Sequence, residues 1–228
     1  LVNSGTTALT GLVLTDNLGA YTFNEASLFP LQYVANSLKY YVNGVLQTSP
    51  VIASQEPLQI EGFSIPAQGN AVVIYQAALT QFAPSATNST ITNQAVISGT
   101  GISSITVEET ISALAEPILN ITKSISPVPV TENGALTYTF VIENRGNVPA
   151  DPVDLIVITD QFNPILSDLT VTFNGTAWAE GTQYTYDQTT GLFTTKAGEI
   201  TVPAATFTQN ADTGAWSVIP GTSTLVIT

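Results

Sequence analysis

Along residues 136–143, Leu136, Tyr138, Phe140 and Ile142 alternate with Thr137, Thr139, Val141 and Glu143. A period of two sends successive side chains to opposite faces of a strand, so the first set predicts a buried face and the second an outer one. "SITVEETIS" repeats the pattern, with Ile105, Val107, Glu109 and Ile111 set against Thr106, Glu108 and Thr110. Both runs are rich in β-branched residues, and comparable runs recur between clusters of Gly, Pro and Asn. Short strands joined by tight turns read this way. The stretch closest to a helical pattern, "NEASLFPLQYV" (24–34), is interrupted by Pro30, which lacks a backbone donor and crowds the preceding turn. The expectation is an all-β chain of sandwich type.

Three segments occur twice, in the same order. "VNSGTTALTGLVLTDNLG" (2–19) parallels "ENRGNVPADPVDLIVITDQFN" (143–163). "LKYYVNGVL" (38–46) parallels "LTVTFNGTA" (169–177), each turning at the Asn-Gly pair that favours a two-residue hairpin. "GFSIPAQGNAVVIY" (62–75) parallels "WSVIPGTSTLVIT" (216–228). Repetition on this scale predicts two related domains, divided near "SALAEPILNIT" (112–122), where Pro117 stiffens a short link. The copies are offset. Ahead of its N-x-G, the second has "ILNITKSIS" and "GALTYTFVI", which the first lacks; the first ends with "STITNQAVISG" and "SSITVEETISA", which the second lacks. The expected organisation is therefore a domain over 1–115 without its first strands and a domain over 116–228 without its last. Two sources of the missing strands stay open: sequence beyond this stretch, or a neighbouring subunit.

Composition narrows the function classes. Four basic residues, Lys39, Lys123, Arg145 and Lys196, face seventeen acidic ones, for a net charge of −13. Nucleic-acid binding needs a basic footprint that this chain does not have. Hydrophobic residues make up 44%, yet no apolar run approaches the roughly eighteen residues of a spanning helix, so no membrane insertion is expected of this segment. Cys, Met and His are all absent, which removes disulfides, thiolate and imidazole chemistry and His/Cys metal sites. The reading calls for no cofactor.

"ILNITKSISPVPVTENGALTYTFVIENRGN", followed by "ITD", resembles a bacterial and archaeal surface repeat known as domain of unknown function eleven. Lys123, Pro127, Gly134, Tyr138, Asn144, Gly146 and Asp160 match that pattern, as do Asn3, Gly5 and Asp16 in the first copy, and "STITNQAVI" is similar to its late T-N-x-A strand. Residues 184–218 lie outside the pattern. The resemblance implies two tandem immunoglobulin-like sandwiches, used as a stalk, filament or adhesin at an extracellular cell surface, and no catalytic activity.

The candidate chemistry centres on Lys123, Asp160, Asp16 and Asn93. Their arrangement resembles surface sandwiches in which a first-strand Lys is joined to a late-strand Asn as an amide. That chemistry needs a neutral amine beside a carboxamide, with a protonated carboxyl to move the proton. The second copy has Lys123 and Asp160 without a late-strand Asn; the first has Asp16 and Asn93 without a first-strand Lys. The plainer reading makes Asp16 and Asp160 turn caps, Asn93 a loop hydrogen-bonder and Lys123 a solvated charge. Asp151, Asp154, Asp160 and Asp168 could meet Ca²⁺, but the calcium-loop spacing is absent. Trp178, Tyr184, Tyr186 and Trp216 are candidates for an aromatic ligand platform or, alternatively, for core packing. The function read from the sequence is a structural module partnered by other copies of itself, head to tail, or by neighbouring repeats, with strand complementation between subunits as one route. The alternative is an adhesin module for a glycan or protein ligand.

Overall fold

The computed structural model describes every residue except Val130 and Glu132. Among the described residues the only helical element is a single 3-10 turn, Pro152–Asp154; everything else is strand, turn or loop. Among the described residues the strand ladders are antiparallel. Among the described residues no helix is long and apolar enough to cross a membrane. Around Pro30, the one stretch with a helical hint forms short strands instead, Ala26–Leu28 and Leu31–Tyr33.

The chain divides into two compact units. Unit one is Leu1–Ala113 with Thr208–Ser217, and unit two is Leu114–Phe207 with Val218–Thr228. The changeover between Ala113 and Leu114 lies within the stretch expected to divide the domains. Segment 208–217, which the 1–115/116–228 division placed in the second domain, belongs to unit one. The Trp216 amide donates to the Gln81 carbonyl (2.8 Å), Asn24 Nδ2 to the Ala211 carbonyl (2.8 Å), and Gln209 Nε2 to the Tyr21 hydroxyl (3.0 Å). Gly214 closes the contact at φ +73°, where a Cβ would meet Leu28 Cδ1 at 2.3 Å. None of these partners lies near 208–217 in sequence.

In unit one a five-stranded sheet runs Ile105–Ser112, Thr90–Ser98, Leu9–Asp16, Leu58–Ile65, Val51–Gln55 in spatial order. A four-stranded sheet runs Val2–Asn3, Gly69–Ile74, Lys39–Val42, Val45–Gln47. Leu12, Leu14, Leu58, Ile60 and Phe63 from the first sheet and Tyr40 and Ala71 from the second join one buried cluster. Unit two has a five-stranded sheet, Leu119–Ser126, Thr137–Asn144, Gly221–Ile227, Val171–Phe173, Thr176–Trp178, and a three-stranded one, Thr159–Gln161, Leu192–Thr195, Tyr184–Asp187. Tyr138, Phe140, Ile142, Leu225 and Ile227 meet Tyr184, Tyr186 and Phe193 in its core. The alternation read along 136–143 is the one observed: Thr137–Asn144 alternates half-buried and buried positions throughout.

The repeat is visible in the strand pairing. Asn43 and Gly44 take φ +48° and +79°, and Asn174 and Gly175 take +48° and +78°, two left-handed residues in a row that suit the twist of a two-residue hairpin. Val42 pairs with Ala71 as Phe173 pairs with Leu225, and the Asn side chains accept from Asn70 N (2.9 Å) and Thr224 N (2.8 Å). One parallel fails. Phe63–Ile65 belongs to a core strand, whereas Trp216–Ile219 lies in a separate two-stranded ribbon with Thr206–Gln209. The strand that flanks Asp160 as Leu58–Ile65 flanks Asp16 is Leu192–Thr195.

The N-x-G pairs act as chain-reversing devices. Asn144 is fully buried; its Oδ1 accepts from Gly146 N (2.8 Å) and Ile118 N (2.9 Å), and its Nδ2 donates to Val148 O (2.8 Å). Asn3 does likewise with Gly5 N (3.0 Å) and Thr7 O (2.8 Å). Replacing Asn144 with Ala strands buried backbone groups and is expected to cost about 1–3 kcal/mol, read as a lower urea midpoint. Gly146→Ala should cost more, because its Cβ would sit 2.1 Å from the Glu116 carbonyl oxygen.

Candidate functional site

Leu9–Asp16 ends in Thr-Asp, and the strand Thr159–Gln161 begins with the same pair. The two aspartates share a position: Asp16 pairs with buried Leu58, and Asp160 with buried Phe193. Each side chain therefore points between its two sheets. What meets it there differs between the units.

In unit one, Asp16 is 1% exposed. Its Oδ1 accepts from the Leu18 amide (2.7 Å), and its Oδ2 accepts from Asn93 Nδ2 (2.9 Å) and from the Tyr75 hydroxyl. Asn93 Oδ1 in turn accepts from the Gly19 amide (2.9 Å). Strand Thr90–Ser98 brings Asn93 there by pairing Ala95 with Asp16, Val96 with Thr15 and Ile97 with Leu14. Asp16 and Asn93, paired from the sequence, are thus in direct contact. No lysine completes the group: Lys39 is exposed at the start of its strand, and the third member is Tyr75. Alternation along Ala71, Val73 and Tyr75 puts that hydroxyl on the inner face, a signal present in the chain but outside the Lys, Asp and Asn pattern. Burial, reinforced by the neighbouring Asp16 carboxylate, holds the Tyr75 hydroxyl well above the usual tyrosine range.

In unit two, Lys123 Nζ forms an ion pair with Asp160 Oδ2. The ammonium also lies 4.7, 5.4 and 5.5 Å from the ring centroids of Tyr138, Phe162 and Phe140. Lys123 thus bridges the two sheets while its side chain keeps 40% exposure to solvent. The Asn that would face it has no counterpart, because among the described residues no strand pairs along the outer edge of Thr159–Gln161.

The aromatic candidates do not form a platform. Tyr184 and Tyr186 alternate into the core of unit two, 4% and 8% exposed, and Trp178 stacks on Phe173 at 4.9 Å between centroids. Burial raises the Tyr184 hydroxyl, with Glu180 adding to the effect. Trp216 belongs to unit one, where its Nε1 is a buried donor without an acceptor. Among the described residues no three of Asp, Glu, His and Cys gather closely enough to hold a metal. Asp154 caps the turn at Asp151 N (2.8 Å) instead. No protein-family model matches the chain, and no curated protein does.

Tyr75 supplies a pH test. Its folded-state value is raised, so its contribution is complete below the ordinary tyrosine value of about 10 and is lost as pH climbs through the folded-state value. Tyr75→Phe is expected to cost about 1–3 kcal/mol at neutral pH and to flatten the alkaline loss of stability. Urea denaturation of both proteins across that pH range checks it.

Proposed function

We propose that the chain is a non-enzymatic structural module of an extracellular surface assembly, whose sandwiches are completed by strands from neighbouring copies or repeats. One observation carries this reading: in each unit, part of an inward sheet face stays uncovered among the described residues. In unit two, the outermost strand presents Leu119, Ile121 and Ile125 on the same face as Lys123, and they remain 37–47% exposed. Their neighbours across the ladder, Tyr138, Phe140 and Ile142, are at most 7% exposed. In unit one, Ile105, Val107 and Ile111, on the face shared with Asn93, remain 50–62% exposed. The opposing sheet there ends in Val2–Asn3, which covers only Asn70 and Gly69 of its neighbour.

Exposed apolar faces and open strand edges attract further strands, and an added strand supplies both ladder hydrogen bonds and inward side chains. The resemblance of the N-x-G and Lys…Asp patterns to tandem surface repeats supports the same conclusion, including the extracellular location. The adhesin reading loses its aromatic platform, since three of those four residues pack within unit two.

Association is expected to appear in solution as species heavier than the 23.9 kDa chain, growing with concentration, and as filaments by negative-stain microscopy. Val107→Lys and Ile121→Lys should suppress it while leaving the far-ultraviolet β signature unchanged. A monodisperse monomer at every concentration overturns the reading.

A further inference from the structure

Unit two carries half of a cross-linking site, and unit one shows how the other half sits. Residues 12–18, "LVLTDNL", correspond to 156–162, "IVITDQF". Both segments put apolar residues on the inner face: Leu12, Leu14 and Leu18 in one, Ile156, Ile158 and Phe162 in the other. In unit one the outer edge of this segment is occupied by Thr90–Ser98. In unit two the same edge is open among the described residues and borders a cleft of about 330 Å³ lined by Leu119, Ile121, Ile142, Ile156 and Ile158. Lys123, two residues beyond Ile121, and Asp160, two beyond Ile158, stand at one end of it.

Laying a Thr90–Ser98-type strand on this edge in the register of unit one pairs Ala95 with Asp160, Val96 with Thr159 and Ile97 with Ile158. The inward positions are then Ile97 and Ala95, small and branched apolar groups against the cleft, followed by Asn93. In unit one, that register puts the Asn carboxamide 2.9 Å from the Asp carboxylate. In unit two it puts the carboxamide against an aspartate that already holds a lysine. Amine, carboxyl and carboxamide would then share one site.

We propose that unit two accepts an antiparallel strand of the sequence type T-N-x-A-V-I, and that Lys123 becomes joined to its Asn through an amide. The proposal rests on strand completion as the mode of assembly and adds a covalent step to it. The incoming strand shields the Lys123–Asp160 pair from water, which favours its neutral form. Asp160 takes a proton from the Lys123 ammonium, and the freed amine attacks the Asn Cγ. Asp160 gives that proton to the departing nitrogen and takes the remaining one from the attacking nitrogen, so that it ends neutral. A carbon–nitrogen bond to Lys123 forms, the bond to the carboxamide nitrogen breaks, and ammonia leaves. No oxidant, metal or water is consumed. Tyr75 cannot play this part in unit one, where the aspartate and Asn meet a phenol rather than an amine.

The test uses the intact 228-residue chain and a synthetic peptide of residues 88–99, "NSTITNQAVISG". After incubation, intact mass under denaturing conditions should show an adduct lighter than the sum of the two by one ammonia, and peptide mapping should place it at Lys123. Lys123→Arg and Asp160→Asn proteins, and a peptide with Asn93→Ala, should give no adduct, with folding confirmed by circular dichroism. Binding without adduct overturns the cross-link while leaving strand completion in place. An adduct at another lysine, or one formed equally by the Asn93→Ala peptide, also overturns it. Absence of binding in a protein that still self-associates overturns the proposed acceptor edge alone; absence of binding in a strictly monomeric protein overturns strand completion as well.

Discussion

In a two-layer sandwich, an inward apolar side chain leaves water only where the facing sheet lies over it. The burial of about 25 cal/mol per Å² that stabilises a sandwich is gained only where the layers overlap. In this protein the overlap is complete in the middle of each unit and fails along one side. Leu58, Ile60, Phe193, Leu225 and Ile227 are wholly buried where two layers meet. The outer strands differ: Val107 of unit one and Ile121 of unit two keep 62% and 47% exposure on faces that point inward.

The polar groups follow the same geometry. A carboxylate between two sheets must be answered by donors. Asp16 is answered by a backbone amide, a carboxamide and a phenol, all supplied by unit one itself. Asp160 is answered by a lysine from the facing sheet. The lysine rests on three aromatic rings, which hold its charge without a second counter-ion. Equivalent backbone positions thus carry different chemistry according to which strands are beside them.

Much of this was legible in the chain. Alternation identified Thr137–Asn144 and Ile105–Ser112; the Asn-Gly pairs marked both hairpins; and the repeated N-x-G and T-D pairs marked the two units. Each of these signals is local, since strand period and turn geometry are set by neighbouring residues. "WSVIP" misled for the opposite reason. It shares letters with "FSIP" but lies in a ribbon whose tip is held by Gln81, Tyr21 and Asn24, all remote in sequence. The aromatic residues left two outcomes open, platform or core: Tyr184 and Tyr186 alternate inward, and only the position of the facing sheet determines whether inward means buried.

The class of fold, the two repeats and the residue types available for chemistry follow from the order of amino acids, because period, turn residues and composition do not depend on partners. That Asp16 meets Asn93 and Tyr75, that Asp160 meets Lys123, and that two inward faces stay uncovered emerges only once the chain has folded. Those facts depend on which strands become neighbours, and strand neighbours are chosen by long-range burial rather than by any short stretch of sequence.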